Sequence, residues 1–216
     1  MLFFDAKASL RHPAVLLVEP VAIFLSIVLY IWWLRFEHPS FAFVILAIVV
    51  LSHIWHGEAP HDLGFRRENF AACLAIFWPA LLFTVLTLLS LGILLQTMRE
   101  TDLERAVVGF FSYCVWGLFQ QYLLNGYFVN RLAAASSSAR GTAMMAGTMF
   151  AGAHTPNWFL MIVAFAAGYC CARVYLRFRN LYFLGLAHGT IGSLLFLVVP
   201  DWVSHHLCVG PGWFGH

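Results

Sequence analysis

Apolar residues occupy the chain in long blocks separated by short polar connections, a pattern that calls for helices in hydrocarbon. A hydrocarbon core about 30 Å thick needs roughly 20 apolar residues per helix. Seven spans are predicted, at about 14–34, 40–56, 71–95, 106–129, 142–155, 157–176 and 181–200. The second and fifth are short, so they are expected to tilt, to re-enter, or to lean on flanking polar residues buried against protein. Pro20 and Pro79 fall inside spans, where neighbouring groups can satisfy the freed carbonyl. The predicted fold class is all-α, a polytopic membrane helix bundle of about seven transmembrane helices.

Composition strengthens this reading. The chain is 62% hydrophobic and 10% charged, and its apolar runs recur from end to end rather than gathering into one soluble core. No linker or low-complexity block divides it, so residues 1–216 are read as a single integral membrane domain. Its opening, MLFFDAKASLRHP, carries Asp5 and lacks a basic start and a small-residue cleavage site, and so reads as a retained segment. Residues 1–12 are taken as interfacial, with Phe3, Phe4 and Leu10 among headgroups and Lys7 and Arg11 facing water. A loosely ordered tail is the other reading. Residues 201–216 form a tail after the last span.

Basic residues set an orientation. Lys7, Arg11, Arg66, Arg67, Arg131, Arg140, Arg173, Arg177 and Arg179 fall on one side and Arg35, Arg99 and Arg105 on the other, nine against three. An inside amino terminus and an outside carboxyl terminus are therefore expected, in a bacterial inner membrane. The five cysteines have no CxxC spacing and read as small buried hydrophobes.

The chemistry is shaped by an absence. Nine of the ten acidic residues lie at or before Glu104 and the tenth is Asp201, so no carboxylate occurs from Arg105 to Pro200. In that half only His154, in MFAGAHTPNWF, and His188, in LGLAHGTIGSLL, can take a proton near neutral pH. Small residues around both allow close helix approach and leave room for a ligand. Each histidine has two readings, an interhelical hydrogen bond or part of a site. In GLFQQYLLNGYF, Gln121 and Asn125 are four apart and share a helix face, while Gln120 is turned by about 100°. These amides are either interhelical glue or the wall of a cavity; the shared face assigns the cavity to Gln121 with Asn125. A second group, LSHIWHGEAPHDLGF, could bring His53, His56 and His61 or Asp62 to a metal, with His205, His206 and His216 of the tail as extensions. Interfacial histidines with solvated charges are the other reading.

The motifs QQYLLN, FAGAH and HGTIG, in this order, resemble the CAAX protease and bacteriocin-processing (CPBP) family of intramembrane proteases. That family carries Glu-Glu-x-x-x-Arg, then Phe-x-x-x-His, then His-x-x-x-Asn. The resemblance covers a core from about 106 to 200. It implies that Gln120 and Gln121 stand at the glutamate pair, Asn125 at the arginine and Gly192 at the final asparagine. His154 and His188 retain the family's catalytic types, with Phe150 and Asn157 beside them as binding positions. In the family a glutamate and a histidine activate water for attack on a peptide carbonyl. Here the ion network has been replaced by neutral groups together, since an arginine without its carboxylates would be an uncompensated charge.

Three functions follow as expectations. The first is a non-hydrolytic relative, a binding or scaffold subunit holding a membrane protein partner, a lipidated peptide or membrane lipid in the former substrate groove. The second is an active endopeptidase using His154 or His188 as base, or taking a carboxylate from Glu19 or Glu58. The third is a metal-dependent membrane enzyme or metal-binding membrane protein built on His53, His56 and His61 with one of the core histidines. No cofactor and no nucleic acid partner are expected.

Overall fold

The computed structural model describes residues 13–136 and 138–215. The interfacial segment expected at 1–12 lies outside the described residues, as does His216. Among the described residues, seven helices of 14 residues or more follow one another: α1 (Pro13–Leu29), α2 (Phe41–His56), α3 (Phe70–Leu94), α4 (Leu103–Gln121), α5 (Ala139–Gly152), α6 (Trp158–Phe178) and α7 (Leu181–Val198). Two of them are prolonged: α1 runs on through π-helical turns at Tyr30–Leu34 to Glu37, and α4 through Tyr122–Val129 to Ala135. Among the described residues, five stretches are long and apolar enough to cross a membrane: Leu17–Glu37, Phe70–Leu94, Leu103–Ala135, Trp158–Phe178 and Leu181–Val198. The protein is thus an integral membrane helix bundle. All seven expected segments are helical, but α2 and α5 fall short of spanning length.

Polar side chains punctuate these helices where backbone N–H groups would otherwise be orphaned. Asp102 caps α4 through Arg105 N at 2.8 Å, Ser138 caps α5 through Gly141 N at 3.1 Å, and Asn180 caps α7 through Phe183 N at 2.8 Å. Large apolar side chains such as Trp33, Phe43, Phe83 and Val115 point outward, while Gln121, Asn125, Arg131, Asn157 and Asn180 are buried. This distribution suits a lipid solvent, in which polar groups must find protein partners.

α5 explains much of the architecture around the site. Its 14 residues rise about 21 Å, well short of the hydrocarbon thickness. The level above it is filled by the carboxyl-terminal segment, which folds back instead of trailing. Gly210 N donates to Thr155 O at 2.7 Å, and Arg35 Nη2 donates to Val209 O at 2.9 Å. Arg99 grips both oxygens of Asp201, and its hydrogen bonds hold that carboxyl below its ordinary range. His205 stacks on Trp213 and His206 pairs with Asp201, so these histidines do not extend a group around His53.

Glycines bring α4 and α7 into close backbone contact. A Cβ on Gly189 would lie 2.5 Å from Cys114 Cα and 2.7 Å from Cys114 N, both backbone atoms that cannot turn aside. Gly117 and Gly185 complete the same contact, and His188 stands beside Gly189 within it. Gly189→Ala should force the helices apart and cost about 1–3 kcal/mol. A lower melting temperature in detergent checks this; a melt equal to that of the parent protein would show that the contact is looser than described.

Candidate functional site

The helix carrying QQYLLN changes winding just after the glutamines. From Tyr122 to Val129 it is π-helical, a deviation that recurs at functional positions. Gln121 and Asn125 are both fully buried. Asn125 Nδ2 donates to Gln121 Oε1 at 2.5 Å, and Gln121 Nε2 faces His188 Nδ1 at 2.9 Å. The two amides therefore act in series to hold the imidazole of α7.

A cavity of about 470 Å³ lies beside this chain of hydrogen bonds. Gln120, Phe150, His154, His188 and Gly192 line it, with Tyr113 and Trp116 of α4, Cys171 of α6, and Leu207 and Val209 of the folded-back tail. Gln121 and Asn125 do not line it. The expectation of a cavity face made by Gln121 with Asn125 is thus corrected: the 100° turn that separates the glutamines sends Gln120 to the cavity and Gln121 to the helix interface. Both histidine rings pack edge-on against Phe150, at 4.8 Å for His154 and 5.8 Å for His188. His154 Nδ1 also reaches Phe150 O at 2.6 Å. No Asp, Glu, Lys or Arg is among the lining residues.

Asn157 is not a wall of this cavity. Its Oδ1 accepts from Leu160 N at 3.1 Å to cap α6, and its Nδ2 donates to Ser204 O at 2.8 Å and Cys208 O at 3.0 Å. It fixes the tail that closes the cavity, and so acts on the site only through that segment.

The ionic groups gather elsewhere, where α1, α2, the 57–69 loop and the far end of the α4 helix meet. Arg131, buried to 3% exposure, donates from Nη1 to Glu58 Oε1 at 2.7 Å and from Nη2 to Glu58 Oε2 at 2.8 Å. Its Nη2 also reaches Ser52 Oγ at 2.9 Å, and its Nε lies 3.4 Å from Glu19 Oε1. Glu19 further accepts from Ser52 and from Tyr127 OH, the latter at 2.9 Å, and pairs with His56 at 3.2 Å. His53 Nδ1 meets Glu58 Oε2 at 2.7 Å. Burial alone would raise the Glu58 carboxyl, but hydrogen bonds from His53 and Arg131 and the guanidinium charge lower it to about 2.

Two expectations end here. Glu19 and Glu58 answer Arg131 and do not line the cavity, so neither supplies a carboxylate to His154 or His188. His53, His56 and His61 each turn to a separate carboxylate, Glu58, Glu19 and Glu68. Among the described residues, no group of three or more His, Cys, Asp or Glu could hold a metal ion. Arg131 is the residue that sequence reasoning missed, having counted it only as an inside charge. The available signal was Glu19, a carboxylate within an apolar run that must find a cation.

Comparison with known proteins bears on the core alone. Residues 102–194, less than half of the chain, match the family described as Type II CAAX prenyl endopeptidase Rce1-like. No curated protein and no solved structure matches the chain. The matched residues contain the amides of α4, both cavity histidines and Gly192, so over this core the chain is similar to the CAAX prenyl endopeptidases.

Proposed function

We propose that the chain is a non-hydrolytic relative of the CAAX proteases, a binding or scaffold subunit whose cavity holds a lipid chain, a lipidated peptide or a transmembrane segment of a partner. One observation carries this reading: the cavity that holds both family histidines has no carboxylate in its wall, and Gln121 is engaged as an amide bridge between Asn125 and His188. A glutamine donates and accepts hydrogen bonds but cannot accept a proton in the working pH range. The apolar wall suits a chain of hydrocarbon. The excess of basic residues around Arg66, Arg131 and Arg177 supports an inside amino terminus, and we place the protein in a bacterial inner membrane.

The test is reconstitution into vesicles with an internally quenched peptide library, half of it carrying a prenylated cysteine. The expected outcome is no cleavage above empty vesicles, the same trace for His154→Ala, and a stoichiometric lipid or membrane partner retained after gentle solubilisation. Cleavage that disappears in His154→Ala would overturn the proposal. It would favour a second reading, an endopeptidase with His154 as base. The supporting observation is that no described residue bonds His154 Nε2, which leaves it available for water.

A further inference from the structure

We infer that the cavity selects the uncharged hydroxyl head of a single-chain lipid over anionic and cationic heads; this rests on the binding reading above. Hydrogen-bond direction carries the step. Asn125 Nδ2 donates to Gln121 Oε1, which leaves Gln121 Nε2 to face His188 Nδ1. An amide nitrogen only donates, so Nδ1 accepts and the neutral His188 ring carries its proton on Nε2. For His154 the direction is opposite. The Phe150 carbonyl only accepts, so His154 Nδ1 carries the proton and Nε2 keeps a lone pair.

Both rings line the cavity and flank Phe150, and no described residue bonds either Nε2. The two rings therefore present one donor and one acceptor, and the other polar groups of the wall, the Gln120 amide and the Ser112 and Tyr113 hydroxyls, are uncharged as well. A hydroxyl is the smallest group that accepts one hydrogen bond while donating another. An anionic head would meet the lone pair of His154 and no cation, and a cationic head would meet the N–H of His188 and no anion. The volume, about 470 Å³, lies in the lower half of the range for small-molecule sites and suits one chain.

The same bonds give Gln121 a positioning role. A carboxylate at 121 would accept from His188 Nδ1–H, which moves the lone pair to Nε2 and turns the cavity from a donor–acceptor pair into two acceptors.

The experiment measures binding of tritiated hexadecan-1-ol to the full chain in nanodiscs, with hexadecanesulfonate and hexadecyltrimethylammonium as competitors that stay charged at any pH. The alcohol is expected to saturate one site, with both charged chains roughly 10- to 100-fold weaker. Gln121→Glu should raise the cationic chain relative to the alcohol, whereas loss of a merely structural contact would weaken all three alike. If that variant does not fold, His188→Phe removes the donor while keeping a ring and should weaken the alcohol alone, by about tenfold. Charged chains binding as tightly as the alcohol would overturn the head-group inference and leave the binding reading standing. Failure of all three to saturate a site would overturn both.

Discussion

Arg131→Met is expected to destabilise the protein by about 3 kcal/mol, more than any single change at the cavity. Removing one partner of a buried ion pair typically costs about 3–5 kcal/mol, because the other charge is left uncompensated. The low end applies, since the Glu58 and Glu19 side chains keep 21% and 26% of their exposure and water can reach them. For a chain of this length the loss corresponds to roughly 6–12 °C in melting temperature in detergent. Replacing Glu19 and Glu58 by glutamine in the same protein should recover most of it, because no orphaned charge then remains. A melt of Arg131→Met within a degree of the parent protein would show that the cluster contributes nothing to holding α1, α2 and α4 together.

The same cluster gives acid sensitivity with a defined sign. Glu58 titrates near 2 in the folded protein against an ordinary value of 4.5. Its contribution is present in full above the ordinary value and is lost as pH falls from about 4.5 towards 2. In Arg131→Met that contribution is largely gone already, so the variant's acid unfolding should begin at higher pH.

The location of this cluster shows where the sequence was informative. Helix existence was legible at every predicted span, because apolar length in hydrocarbon leaves the backbone few alternatives. Spanning length was not: the segment at 142–155 reads as a short span, yet α5 stops at Gly152 and the tail takes the space above it. That docking depends on Arg99, Arg35 and Asn157 meeting carboxyl-terminal backbone from distant parts of the chain, which local periodicity cannot register. Within the site, residue types and order singled out His154 and His188, which share one cavity, but the shared face of Gln121 and Asn125 pointed to the wrong glutamine, since Gln120 lines it. The helical 3.6 period could say that Gln120 and Gln121 diverge, but not which faced the cavity, because both faces of α4 there meet protein. Arg131 was hidden by the rule that inside ends of spans carry solvated cations, which holds on average and failed where two carboxylates converge.

Restoring carboxylates at the cavity should return hydrolysis, with Gln120→Glu as the leading change. Gln120 lines the cavity with both histidines, so a carboxylate there can activate water beside a peptide without being fully buried. A positioned general base contributes typically about 10²–10⁴ in rate, and a gain of that order over the parent protein is expected with a prenylated, internally quenched peptide. Gln121→Glu alone should gain far less. Its carboxylate would be fully buried at the α4–α7 interface, held by Asn125 and His188 but facing no arginine, since Arg131 is engaged by Glu58 and Glu19. It would orient His188 as an acceptor towards the cavity and so help only when combined with Gln120→Glu. The double variant is therefore expected to exceed Gln120→Glu in rate while melting at a lower temperature. Should Gln120→Glu and the double variant both fold yet cleave no faster than the parent protein, then missing carboxylates are not what separates this cavity from a protease, and the tail that walls it with Leu207 and Val209 becomes the next element to remove.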